Sequence, residues 1–245
     1  MYHYKNILII SDNIKLAGRF QNWLKTRPEY NEVHIIFTKT IASQKKNTEG
    51  KDFVDLKNSA DVEKIISNFD LIISLNCGQI FPDKLVNNIK CINIHPGYNP
   101  DTRGCYSEIF AIMYGTKIGA TIHEMDSRLD HGPVIAREEV PKNDWDSAYT
   151  LYQKIINKEF ELIEKNFDNI LRNTYTTFRV EEGTVFTKRD FKAFQKIDPL
   201  EKKTFREFID YLRAMTFEGY DNCYFINEDG IRIFVSIQLK PENSS

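Results

Sequence analysis

Asn93 and His95 stand two residues apart in Asn93-Ile94-His95-Pro96-Gly97-Tyr98-Asn99-Pro100, where an apolar run gives way to a Pro/Gly-rich loop. The two-residue period of a strand turns both side chains to one face. An amide and an imidazole presented together at the carboxyl end of a strand suit acyl chemistry. The amide N–H groups can hold a carbonyl oxygen as it gains negative charge, and the imidazole can donate to that oxyanion or move a proton. The same residues also fit a plainer role, with Asn93 capping the loop and His95 satisfying buried backbone. A second polar loop runs Asp126-Ser127-Arg128-Leu129-Asp130-His131-Gly132-Pro133. Here Asp130 precedes Gly132 closely, on backbone that turns tightly and leaves room for a ligand. A carboxylate beside His95 would orient the ring, raise its pKa or take a proton from an amine. Taken singly, Asp-x-Gly describes a turn-stabilising aspartate equally well.

Positioning these loops requires strands that end together. Apolar runs at Asn6 to Ser11, Val33 to Thr38, Phe53 to Leu56, Leu71 to Leu75, Cys91 to His95, Ile118 to Met125 and Val134 to Glu139 predict strands. Helical spacing falls between them, near Ala17 to Lys25, at Ala60 to Phe69, Ile80 to Asn88 (opened near Pro82) and Ser107 to Tyr114. A long amphipathic pattern follows over Ser147 to Leu171, with Asp146 or Ser147 as N-cap. The alternation predicts an α/β fold, a Rossmann-like and mostly parallel sheet covered on both faces, with ligands beyond the carboxyl ends of its strands. Composition changes after Asn173, so the expected division is a catalytic domain over 1–175 and a small α/β appendage over 176–245. The appendage carries a helix at Lys203 to Ala214 and strands at Cys223 to Ile226 and Ile231 to Leu239. Asn227-Glu228-Asp229-Gly230 supplies their hairpin turn. The tail from Pro241 to Ser245 is expected to fray.

A length of 245 residues suffices for a real core. Apolar residues at 41% and charged residues at 28% are ordinary for a globular chain. The net charge of -2 argues against a nucleic-acid partner. No apolar run is long enough to cross a membrane, and the start lacks a secretory signal, so a cytoplasmic protein is expected. Cys77, Cys91, Cys105 and Cys223 form no Cys-x-x-Cys pair and read as free thiols, and no metal site is expected.

The ordered set Asn93-x-His95-Pro96, Arg103-Gly104, Gly119-Ala120-Thr121-Ile122-His123 and Asp130-x-Gly132 resembles the formyltransferases that use 10-formyltetrahydrofolate. The longer run from Asn93 to Gly104 is similar to that of the sugar N-formyltransferases acting on dTDP-linked amino sugars. So is the second half, from Phe205-Arg206-Glu207-Phe208 through Gly219-Tyr220 to the hairpin. The resemblance implies Asn93, His95 and Asp130 as catalytic trio, with a protonated His95 kept charged by Asp130. It implies that the pterin of the carrier lies along Ile80, Phe81 and Leu85 and against the loop bearing Asp126 and Leu129. It also implies a homodimer and an acceptor such as dTDP-4-amino-4,6-dideoxyglucose, made for surface glycans. The 3-amino isomer, UDP-sugars, glycinamide ribonucleotide, methionyl-tRNA and a non-catalytic binding role are the alternatives. One departure stands out: relatives follow Arg-Gly with aromatics and Pro-Gln, whereas this chain has Cys105-Tyr106-Ser107-Glu108.

On the acceptor side, Asp12 and Asn13 end the first strand where a nucleotide could approach, although a plain turn explains them too. Arg103 can face the sugar or its diphosphate. Phe217 and Tyr220 can stack on a base or simply pack. His123 reads as structural, His131 as pointing elsewhere, and Lys45 to Lys51 as a solvated loop.

Overall fold

Asn93 and His95 stand at the end of an inner strand of a seven-stranded sheet. The computed structural model describes residues 1–43 and 53–242. The stretch Lys45 to Lys51 and the last residues of the tail lie outside the described residues. In chain order the elements are β1 (Asn6–Ile10), α1 (Ile14–Lys25), β2 (His34–Thr40), β3 (Phe53–Val54), α2 (Ser59–Asn68), β4 (Leu71–Leu75), α3 (Asp83–Val86) and β5 (Lys90–His95). Then come β6 (Arg103–Gly104), α4 (Ser107–Tyr114), β7 (Gly119–Glu124), β8 (Val134–Glu139), α5 (Ala148–Arg172), β9 (Val185–Phe186), α6 (Lys188–Ala193), α7 (Phe205–Met215), β10 (Cys223–Ile226) and β11 (Arg232–Val235).

Seven strands form the main sheet in the order β3-β2-β1-β4-β5-β7-β8. The first four pairings are parallel, and β5–β7 and β7–β8 are antiparallel. The fold is therefore α/β with a mostly parallel sheet, and a helix plus the β10–β11 hairpin follow it. Period-two alternation sorts the central strands between two cores. Ile7, Ile9, Leu71, Ile73, Ile92 and Ile94 pack toward α1 and α5. Leu8, Ile10, Ile72 and Cys91 pack with Val62, Ile65 and Leu85 on the opposite face. Asn93 and His95 share the parity of Cys91, as strand geometry requires.

Helix α5 opens with a capping box, in which Ser147 Oγ accepts from Thr150 N and Thr150 Oγ1 from Ser147 N. Its buried side carries Phe160, Phe167 and Leu171 against the rings of α1. Phe167 meets Phe20 at 5.1 Å, Tyr30 at 5.2 Å and Trp23 at 5.8 Å between centroids, mostly edge to face.

Three expectations change. The helix expected over Ile80 to Asn88 shrinks to Asp83–Val86. Pro82 adopts an extended conformation and restricts the residue before it, so Ile80 and Phe81 stay outside the helix. The last strand ends at Val235 rather than Leu239. Between Asn173 and Lys203 the chain forms β9, which pairs with β6, and α6, whose Thr187–Asp190 capping box starts it. Two-residue strands leave no periodicity for sequence reading to detect.

Truncating Phe167 to Ala removes the ring on which three others converge and is expected to cost about 3–5 kcal/mol of stability. Urea unfolding of the variant checks this, and a loss below about 1 kcal/mol would contradict the packing described.

Candidate active site

At the carboxyl ends of β4 and β5 the loops enclose a cavity of about 1040 Å³. Asn93, His95 and Asp130 all line it. One wall is the run Asn76 to Pro82, the facing wall is Met125 to Asp130, and Phe186 to Lys188 close the end.

The trio is physically connected. Asn93 Nδ2 donates to Asp130 Oδ1 at 2.9 Å, and His95 Nδ1 lies 3.6 Å from Asp130 Oδ2. Asp130 takes a left-handed backbone, φ 47°, and its Oδ2 also accepts from Gly104 N at 2.8 Å. His95 Nε2 sits 2.9 Å from the Thr102 carbonyl. A carbonyl can only accept, so Nε2 carries the hydrogen, and in the neutral ring Nδ1 presents a lone pair toward Asp130.

Burial, at 3% exposure, disfavours the imidazolium and lowers the His95 pKa, although Asp130 pulls the other way. The expectation of a standing imidazolium is thereby corrected: removal from water outweighs one carboxylate at 3.6 Å. For Asp130, burial favours the neutral acid. The charge that the facing rings of His95 and His123 carry once protonated, together with the Gly104 N–H, overcomes it and holds the pKa below the usual carboxylate range. The site rests as a carboxylate beside a neutral imidazole.

His123 belongs to the site, a role sequence reading did not assign. It pairs with Asn93 across β5–β7, at the point where the β7–β8 register shifts. Its Nδ1 meets the Glu124 carbonyl at 2.7 Å, so Nε2 accepts from Asn93 Nδ2 at 3.3 Å. The other supports missed in the sequence are backbone and loop groups. Asn99 Nδ2 donates to the Asp130 carbonyl at 2.8 Å, and Thr121 Oγ1 donates to Gly97 O at 2.7 Å. Gly97 leaves room for the His95–Thr102 bond, since a Cβ there would stand 2.3 Å from both partners. Gly132 is needed for a different reason from the one expected. A Cβ would fall 1.8 Å from Glu124 O, so the close approach is to the chain's own backbone rather than to a ligand.

Of the carrier-side residues, Ile80 (74% exposed), Phe81, Asp126 and Leu129 line the cavity, whereas Leu85 is fully buried in the core beneath it. Arg103 is turned away from the cavity. Its Nε and Nη2 donate to Leu129 O at 3.1 and 2.6 Å, and Nη1 reaches Glu182, fastening the Asp130 loop to the segment before β9. Glu182 also pairs with Arg128 and His131, and His131 points to Asp126, away from the trio. Asp12 accepts from Thr40 N, Thr40 Oγ1 and Gly78 N, a loop-fastening role. Asn13 caps α1 and donates from Nδ2 to Tyr152 Oη at 3.1 Å. Phe217 packs 5.6 Å from both Tyr152 and Tyr220, and Tyr220 is 69% exposed. Asn13 and the Phe217–Tyr220 pair thus meet at Tyr152.

The departing segment is anchored by the C-terminal part of the chain. Cys105 N donates to Phe186 O, and the left-handed Tyr106 stacks on Phe191 at 4.2 Å. Burial pushes the Cys105 thiol up, which disfavours a thiolate nucleophile, and lifts the Glu108 carboxyl to about 7.

Because folding lowers the His95 pKa, the unfolded chain binds the proton first as pH falls. Stability is therefore lost from about pH 6.5 downward to the folded value. Comparing urea midpoints on either side of that value, wild type is expected to lose more stability on acidification than His95→Gln. Equal losses would contradict the lowered pKa.

Residues 5–166 match the formyl transferase family, and residues 190–241 match the N-formyltransferase dimerization C-terminal domain. The dTDP-4-amino-4,6-dideoxyglucose formyltransferase of Mycobacterium tuberculosis is 39% identical over 182 residues, which are 74% of this chain and 78% of that one. A 4-N formyltransferase structure from Francisella tularensis superposes with TM-score 0.90 at 38% identity, covering 97% and 99% of the two chains. A sugar N-formyltransferase from Shewanella sp FDAARGOS_354 gives TM-score 0.92 at 30% identity over 98% and 99%. With the trio's geometry and a match over most of its length, the chain belongs to the formyl transferase family.

Proposed function

We propose that this enzyme moves a formyl group from 10-formyltetrahydrofolate to the amino group of a dTDP-linked amino-dideoxysugar, with dTDP-4-amino-4,6-dideoxyglucose as the acceptor. The observation that carries the reading is the convergence of Asn93, His95 and Asp130 on one cavity edge, within 2.9 and 3.6 Å of one another. The mycobacterial relative's own acceptor, at 39% identity, supports the choice of sugar. Ile80 and Phe81 offer a flat ring an apolar wall, and Asp126 to Leu129 offer it polar backbone. On the acceptor side, Tyr220 offers an exposed ring to a base beside Asn13 and Phe217.

In the reaction the acceptor nitrogen bonds to the formyl carbon, and the bond from that carbon to the carrier nitrogen breaks. The amine must lose a proton to attack. His95 Nδ1, with its lone pair turned to Asp130, is the group that takes it, and Asp130 stabilises the imidazolium so formed. That imidazolium then returns the proton to the leaving nitrogen, and the second proton lost by the acceptor nitrogen passes to solvent. Asn93 donates to the formyl oxygen as it becomes negative, exchanging its 3.3 Å bond to His123 for the substrate.

The reading extends to a catalytic unit over 1–175, an appendage over 176–245 and a homodimer formed through that appendage. Phe205 at 89% and Leu200 at 88% exposure support such a contact. We place the enzyme in the cytoplasm, supplying sugar for surface glycans. Among the described residues no helix is long and apolar enough to cross a membrane.

Incubation with 10-formyltetrahydrofolate and the 4-amino or the 3-amino dTDP-sugar, followed by mass spectrometry, is expected to show formylation of the 4-amino isomer. Loss of the Asn93 donor in Asn93→Ala should lower kcat by about 10²–10³. His95→Ala and Asp130→Ala should abolish detectable turnover, and full activity in either would overturn the assigned roles. Sedimentation that finds only monomer at micromolar concentration would sink the dimer.

A further inference from the structure

We infer that Glu159, buried in α5 behind the cavity lining, is a positioning residue that sets the carrier-side wall of the cavity through Asn76. The inference rests on the proposed function, since it assigns that wall to the folate carrier.

Asn76 directly follows β4 and adopts a left-handed conformation, φ 55°, which a non-glycine residue rarely takes unless its surroundings hold it there. Its side chain supplies the hold. Asn76 Nδ2 donates to Glu159 Oε1 at 2.9 Å and to Oε2 at 3.0 Å. Past this corner the chain runs through Cys77, Gly78, Gln79, Ile80 and Phe81 to Pro82, all lining the cavity. The rest of the wall is tied further along the run. Asp12 N reaches Asn76 O at 3.3 Å, Gly78 N reaches Asp12, and Gln79 bridges Leu56 N and Asp55. The corner is where this run leaves the sheet, so the direction in which Ile80 and Phe81 face depends on it together with those ties.

Glu159 itself is 0% exposed and takes no part in the cavity lining. No salt bridge to it is present among the described residues. Burial drives its carboxyl pKa upward, so it stands as a neutral acid whose relevant property is its acceptor oxygens. A side chain in that position acts on a ligand only through Asn76. Glutamine keeps a carbonyl acceptor in the same volume, whereas leucine keeps the volume and removes the acceptor.

The test is calorimetric titration of the full chain with 5-formyltetrahydrofolate, together with steady-state kinetics in both substrates. Glu159→Gln is expected to bind the probe within about threefold of wild type, and Glu159→Leu to bind it about tenfold more weakly or worse. The KM for the carrier should rise in parallel in the leucine variant, while the acceptor KM moves less than about threefold, a split that a general loss of structure would not produce. Asn76→Gly breaks the same bond from the other side and tolerates the left-handed corner, so it serves where the leucine variant does not fold. Its carrier affinity should fall likewise. Undiminished probe binding by folded Glu159→Leu or by Asn76→Gly overturns the inference, as does a Glu159→Gln variant as impaired as the leucine one. A wild-type chain that fails to bind the probe overturns the proposed function and this inference with it, which separates the two failures.

Discussion

Asp130 is an ionised carboxylate only 8% exposed to water, and the arrangement around it follows from keeping it charged there. An isolated carboxylate moved out of water carries a penalty of several kcal/mol unless hydrogen bonds and opposite charge replace its hydration. The chain provides replacements from two parts of its length. The Asn93 amide comes from β5 and the Gly104 N–H from β6. Each of these is itself held. Gly104 is locked in the β6–β9 pair, and the Leu129 carbonyl beside Asp130 is gripped by Arg103. Loosening any of them leaves a buried charge short of partners, so the loops after β5 and β7 and the segment around β9 are bound into one constraint.

That constraint explains why residues after the main sheet matter to the site. Phe186 accepts from Cys105, Phe191 stacks beneath Tyr106, and Glu182 joins Arg103 to Arg128. A compositional change after Asn173 marks where the regular alternation of strand and helix stops. It does not mark where contribution to the cavity stops, since Phe186, Thr187 and Lys188 line it.

The strands that carry the site were legible because parallel central strands are buried on both faces and read as continuous apolar runs. Asn93 and His95 were legible for a related reason, since parity on one strand fixes a shared face without knowledge of the fold. Asp130 needed the resemblance, because nothing in an Asp-x-Gly turn says which strand end it faces. His123 was passed over because its role depends on the antiparallel register that sets it opposite Asn93 and on the register shift between β7 and β8, and neither has a local signature. Arg103 was expected to face a ligand. An arginine's reach is not fixed by sequence, and its five donors found a carbonyl and a carboxylate of the chain first. The β6–β9 pair and α6 are too short for periodicity to mark.

The titratable groups near the sheet's ligand end are pushed apart by their environments. Burial lowers His95 toward the neutral base and raises Glu108 and Glu159 toward neutral acids, while the N–H donors of Gly104 and Asn93 support an ionised Asp130. Of these three buried carboxyls Asp130 is the one whose pKa is lowered, and it is the one beside His95. Such a separation assigns acid and base roles on one scaffold. A neutral His95 can accept a proton from an incoming ammonium, and the imidazolium it becomes meets a carboxylate already in place. Because Asp130 is fixed by the backbone N–H of Gly104 as well as by side chains, its charge needs little reorganisation when the proton arrives. That is the condition under which a buried charge lowers a barrier rather than merely straining the fold.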